Sequence, residues 1–521
     1  MKIYFNAHIY KKDETAFVVD DDKFFEFGNN GLLTKYKDCE QIDLNGGYVY
    51  PGFNDSHMHL LNYGVFLCSF SLYEHTSSIK DLQDFLKEKL KNVEKGKIIK
   101  CRGFNQDYFE EKRMLAKNDL DEISRDVGLV LVRACGHICV LNSKAIEMLH
   151  FTDEDTNIER GTIDLENGLF TEFALNLVYE RMPEPTIEEL EEYIISGMKA
   201  LNTYGVTSCQ SDDFETFPNC DYRNVIEAYK ELEDEGLLTV RVNEQCQLKD
   251  IGLLKNFINE GYKDTYNDKY LKMGPLKLLE DGSLGARTAS LTNGYYDDRD
   301  NKGQLIYSQE EMDELVSFAN KNGMGVCVHC IGDGALDVVL NSFKKSMKDD
   351  YSNPLNNAIV HVQVTRKDQI EDILKYHISC YIQSIFIDYD SKIVFDLLDK
   401  ELAETSYQFK TYYDGTNASN GSDCPVELPN VLKGMECGIT RCSIGYDKPY
   451  LIEQALSVDE AIDTYTINGA KMTFEDNIKG KIEKGYLADF NVLEEDIASV
   501  ETNTIHNIKV LATYLGGKKV Y

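Results

Sequence analysis

The stretch PGFNDSHMHLL places His57 and His59 one residue apart, although the chain has only ten histidines. In a strand, residues i and i+2 share a face, so both imidazoles project together from one strand end, as a pincer for a cation would. The same pair also suits a half-exposed polar face, and a metal centre needs three or more converging groups. Other apolar runs end on suitable groups. Lys277 lies in GPLKLLEDG, His329 in GMGVCVHCIGD, His361 in NAIVHVQ and Asp423 in TNASNGSD. Each alone has an ordinary role: a core histidine, a lysine paired with a neighbour such as Glu280, an aspartate capping a turn. Unrelated structural roles would not select strand ends in this order, and an imidazole and carboxylate set suits divalent cations such as zinc.

The elements that must position these groups follow from the pattern. From about residue 186 onward, amphipathic helices alternate with short β-branched runs, which predicts parallel βαβ units. Counting YPGFNDSH as the first, strands are expected near 51–57, 206–209, 238–244, 275–279, 324–329, 358–363, 378–383 and 416–421. Eight such units suggest an α/β fold of the (β/α)8 TIM-barrel type, whose strand ends face one mouth. A doubly wound sheet would instead show a Gly-rich phosphate turn after an early strand, and none is present. Residues 1–50 and 480–521, rich in short strands and tight turns, are expected to form a composite β-sandwich domain. The barrel then spans 51–479, with an insertion after its first strand at about 62–185.

The net charge of -34 argues against nucleic acid and anionic membranes as partners and leaves a small-molecule substrate. No window reaches the roughly 18 apolar residues of a membrane span, and the opening MKIYFNAHIYKKDE lacks the features of a signal peptide. Fourteen scattered cysteines, Cys135 and Cys139 among them, are expected as buried free thiols in a cytoplasmic protein. A homodimer is compatible with any of these readings.

PGFNDSHMHL resembles the first-strand signature of the amidohydrolase superfamily. GHICVLNSKAI, LKLLEDGSLGARTASL, VHCIGDGALDVVL, VHVQ and NGSDCPVE resemble successive motifs of its amidohydrolase 3 branch, whose described members include N-substituted formamide deformylases. The resemblance implies one or two divalent metal ions, zinc being expected. His57, His59 and Asp423 would bind the first, and His329 and His361 the second. Lys277 matches a lysine that is carboxylated in many members and bridges two metals; unmodified, it leaves a one-metal site. The implied reaction is attack of metal-bound hydroxide on a non-peptide carbon–nitrogen bond of a small amide, with Asp423 taking the proton and delivering it to the leaving amine. His137, in a GH turn of the insertion, is a candidate for binding substrate or the oxyanion. Asp281, Arg287 and Glu172 are candidates for substrate contact, while Asp333 is read as a helix cap. Asn54 and the proline-free IQSIF depart from the family pattern at positions read as pocket wall.

Ester or lactone hydrolysis and deamination stay open on the same scaffold, because specificity lives in the loops. A non-catalytic barrel acting as a binding module is the alternative from another class. It would have no need of all six ligand positions.

Overall fold

The computed structural model describes residues 1–158, 161–265, 267–348 and 350–521. The chain divides into two compact units: Met1–Tyr63, Ile194–Phe214 and Val225–Tyr521 in the first, Gly64–Tyr193 and Glu215–Asn224 in the second.

The first unit contains an eight-stranded parallel sheet made of β1 (Phe53–Met58), β2 (Val206–Ser211), β3 (Arg241–Gln247), β4 (Leu271–Leu279), β5 (Val326–Cys330), β6 (Ala358–His361), β7 (Ser379–Ile382) and β8 (Ala418–Asn420), paired in chain order. These are the eight runs expected from the sequence, with β4 starting earlier and β3 shifted toward its C-terminal end. Seven of the eight strands are nearly continuous in buried residues, as a sheet covered on both faces requires, while β4 alternates between buried and half-buried residues in its first half. The barrel closes between β8 and β1: Asp423 N donates to the His57 carbonyl at 2.8 Å and His59 N to the Cys424 carbonyl at 2.8 Å. Gly421 permits that approach, since a Cβ there would stand 2.5 Å from His57 N. Parallel register aligns Lys277 with Cys327, Leu279 with His329 and Cys330 with His361. The chemically active residues therefore gather at one end of the barrel.

Two further sheets in this unit come from both ends of the chain. One runs Lys23–Gly28, Ala16–Asp20, Lys2–Phe5, Glu40–Asp43; the other runs His8–Ile9, Tyr48–Pro51, Phe490–Leu493, Val510–Leu515, Lys518–Lys519. Tyr4, Phe17 and Phe24 of the first pack with Val49, Phe490 and Tyr514 of the second in a common core, which makes a β-sandwich. Strand Tyr48–Pro51 runs directly into β1. A buried bidentate pair, Arg241 to Asp489 at 2.7 and 2.9 Å, ties β3 to the segment entering Phe490–Leu493.

The second unit, the insertion, folds around a five-stranded sheet ordered Gly161–Asp164, Leu169–Glu172, Ile138–Leu141, Gly128–Arg133, Ile98–Phe104. It extends past the expected boundary near 185 and recruits a second segment, 215–224, after β2. Cys139 is buried there, but Cys135 is exposed, so Cys135 is not the core residue its setting suggested; it sits in the turn between two strands. All fourteen cysteines are unpaired. No helix among the described residues is long and apolar enough to cross a membrane.

Candidate metal centre

His57 is the penultimate residue of β1 and His59 lies just past its end, and their Nε2 atoms lie 3.3 and 3.1 Å from Oδ1 of Asp423, just beyond β8. Within this trio one donor atom from each residue lies within 4.8 Å of the others. Asp423 is held at φ 58°, a left-handed conformation uncommon for a residue with a side chain, which turns its carboxylate toward the histidines. Asp55 fixes that loop: its carboxylate accepts from Ser422 N at 2.9 Å and from the Ser422 hydroxyl at 2.5 Å. Burial pushes Asp55 up to about 7.

The outward nitrogens are also engaged. His57 Nδ1 meets Gln245 Oε1 at 2.7 Å and His59 Nδ1 meets the Asp212 carbonyl at 3.0 Å. Both partners are acceptors, so Nδ1 carries a proton and Nε2 is the nitrogen that faces Asp423, donating to the carboxylate while the ring is protonated and offering a lone pair once a cation takes that proton's place. Two imidazole nitrogens and a carboxylate thus converge, which is the donor set of a divalent cation with its supporting hydrogen bonds in place. Burial and the nearby Lys277 charge lower His57. His59 is raised to about 9, burial being outweighed by Asp423, and Asp423 falls well below the usual carboxylate range because the two imidazoles outweigh its burial.

His329 and His361 stand beside this trio, with ring centroids 4.5 Å apart and His361 5.4 Å from His57. His361 Nδ1 meets Gln383 Oε1 at 2.9 Å, and His329 Nε2 donates to the Gly282 carbonyl at 3.1 Å, so each ring keeps one nitrogen free as a ligand. Burial and Lys277 lower His329 to about 4; burial and His329 lower His361 further. Lys277 is buried and donates to Asp212 Oδ2 at 2.8 Å, so its partner is Asp212 and not Glu280.

A cavity of about 540 Å³ opens onto His57, His59, Lys277, His329 and Asp423. Asp281 stands behind it, accepting from Ser290 N, Ile331 N and Gly332 N at 2.8 to 3.0 Å, and shapes the loop after β4. Arg287 is not among the cavity-lining residues: its guanidinium is taken by Asp297 on the surface. In the second unit, His137 Nδ1 lies 3.0 Å from the Glu172 carboxylate, both side chains exposed. Asp333 is not a cap. It is the first residue of helix Asp333–Met347, and its carboxylate receives Thr292 N and Arg366. Asn54 bonds Ser56 and packs on Gly469, outside the cavity wall. IQSIF does reach the site, through Gln383 and the cavity-lining Phe386.

Asp212, Gln245 and Gln383, which hydrogen-bond His59, His57 and His361, were not singled out in the sequence. Asp212 directly follows β2, Gln245 is in β3 and Gln383 directly follows β7, so asking every strand end for a polar group would have found them.

Comparisons with known proteins agree with this arrangement. The chain is 29% identical over 502 residues to "Putative amidohydrolase YtcJ" of Bacillus subtilis (strain 168), covering 94% of this chain and 92% of that protein. It is 22% identical to N-substituted formamide deformylase of Arthrobacter pascens, covering 92% and 89% of the two chains. The crystal structure of an uncharacterized metal-dependent hydrolase from Pyrococcus furiosus superposes with a TM-score of 0.80 at 28% identity, covering 96% of this chain and all of that one. Residues 40–521 match the Amidohydrolase family, and with the barrel and the histidine–aspartate centre in place, this chain is a member of that family of metal-dependent hydrolases.

Proposed function

We propose that the chain hydrolyses a carbon–nitrogen bond outside peptides, in a small amide such as an N-acyl or N-formyl amine, using zinc or a similar divalent cation. The observation that carries this reading is the convergence of His57 Nε2, His59 Nε2 and Asp423 Oδ1 at the floor of a cavity sized for a small molecule. Its likeness to a formamide deformylase supports the choice of bond.

His57, His59 and Asp423 would hold the cation, with His329 and His361 available to a second. A cation bound there supplies Lewis acidity, polarising a carbonyl and making water more acidic. Asp423 borders the cavity and accepts the proton of the attacking water on a carboxylate oxygen. As the carbon–nitrogen bond breaks, the same carboxyl returns that proton to the departing amine nitrogen. His57 and His59 keep their Nδ1 protons on Gln245 and Asp212, which fixes both rings throughout. Lys277, ion-paired with Asp212, favours one cation at the trio; a carbamate on Lys277 would favour two.

The test is metal content per chain together with turnover of N-formyl and N-acyl amines by the wild type and Asp423→Asn. Stoichiometric metal and amine release that falls by about 10²-fold or more in Asp423→Asn supports the reading. Metal binding without release of amine from any such substrate overturns it.

A further inference from the structure

The hydrolytic reading leaves one wall of the cavity unused. That wall carries two aromatic rings, Phe386 and Tyr389, and two carboxylates, Asp390 and Glu427. The charged groups elsewhere in the cavity are already engaged: Lys277 by Asp212, and Asp423 by two imidazoles. Asp390 is different. One of its oxygens takes the hydroxyl of buried Tyr407 at 2.8 Å, which aims the carboxylate, and among the described residues no cation pairs with it. Glu427 shares Lys433, at 3.6 Å, with Asp388, which holds that lysine more closely at 2.7 Å. Glu427 also lies on the same loop as Asp423, four residues on, where Val426 N bonds the Asp423 carbonyl. Phe386 is set by near-parallel stacking on His361, and Tyr389 is exposed.

A ligand in this cavity thus meets the histidines and, along the wall that Phe386 begins beside His361, an unneutralised carboxylate and aromatic faces. Carboxylates and aromatic faces both attract cations, and both disfavour a second carboxylate. We propose that Asp390, assisted by Glu427 and by the rings of Phe386 and Tyr389, selects substrates bearing an alkylammonium or guanidinium group on the part remote from the scissile bond. This rests on the amide-hydrolase reading above and adds the substrate's charge to it. Burial, opposed by the Tyr407 hydroxyl and reinforced by Glu427, pushes Asp390 up to about 6, a load that a bound cation relieves. The net charge of -34 also draws cationic substrates toward the molecule.

The experiment uses three compounds of matched length on the zinc-loaded full chain: the mono-N-formyl derivative of diaminobutane, N-formylpentylamine and N-formyl-aminobutanoate. Binding is read by calorimetry and turnover by formate release. The cationic compound is expected to bind about tenfold tighter than the neutral one, the worth of one charge-assisted hydrogen bond, and the anionic one most weakly. In Asp390→Asn the ratio of cationic to neutral affinity should collapse toward one. Equal binding of the cationic and neutral compounds overturns the proposal, as does a preference that survives in both Asp390→Asn and Glu427→Gln, or no binding of any compound. A cation preference without formate release keeps the proposal and overturns N-formyl hydrolysis; release without preference does the reverse.

Discussion

Lys277 and Asp212 form an ion pair in which Nζ lies 2.8 Å from Oδ2, with both side chains almost entirely shielded from solvent. The other Asp212 oxygen is buried without a partner, and its backbone carbonyl receives His59 Nδ1. One residue therefore neutralises the lysine and holds the Nδ1 proton of His59, a candidate metal ligand. Replacing Asp212 by Asn strands a buried ammonium and should cost about 3–5 kcal/mol. Urea denaturation of the metal-free protein measures it. The double variant Asp212→Asn, Lys277→Met should recover much of the loss; no recovery would mean that the cost arises elsewhere.

Gln245 and Gln383 touch no cation themselves but hold the outer nitrogens of His57 and His361. Gln245→Leu or Gln383→Leu should weaken metal affinity about 10–100-fold while the far-UV circular dichroism stays unchanged. Competition with a chromogenic chelator reads the affinity. If only Gln245→Leu has an effect, His361 lies outside the occupied metal site.

Removing metal should lower thermal stability. A cation present at a hundred times its dissociation constant contributes about 2.7 kcal/mol, so melting temperature should rise with added zinc in chelator-treated protein. In the His57→Ala, His59→Ala double variant that zinc-dependent rise should vanish, as scanning calorimetry over a zinc titration would show.

Gly421 lies at the β8–β1 seam, where a Cβ would press on His57 N at 2.5 Å. His57 N and the His57 carbonyl oxygen, 2.8 Å away, are both backbone, so neither can swing aside, and Gly421→Ala should cost about 1–3 kcal/mol. It should also move the Asp423 loop and lower metal occupancy, measured by elemental mass spectrometry. Full occupancy with unchanged stability would show that the seam yields without disturbing the site.

The barrel was legible because its strands are short, recur between amphipathic helices and carry polar groups toward their C-terminal ends. His57, His59, Lys277, His329, His361 and Asp423 all stand within three residues of such ends. Legibility failed where a role depends on a partner distant in sequence. Nothing local to Asp212 reveals Lys277, and Gln245 reads as one more polar residue until His57 is beside it. Asp333 has the sequence of a cap, yet Gly332 occupies the N-cap position and Arg366 claims the carboxylate. Arg287 has the charge of a substrate clamp, but Asp297, ten residues on, takes it first. The cavity-lining Tyr389 and Asp390 lie past β7 in the four-residue helix Ile387–Asp390, too short for a helical period to show in the sequence.

The sheet that carries Tyr48–Pro51 into β1 has a temporal consequence. Its neighbour Phe490–Leu493 leaves the ribosome long after His57 and His59 have been made. Until then the strand bearing those histidines lacks both its sandwich neighbour and, at 418–420, its β8 partner. The nascent chain must therefore carry the strand of His57 with one edge unpaired through most of its synthesis, a period in which exposed strand edges invite chaperones or misassembly.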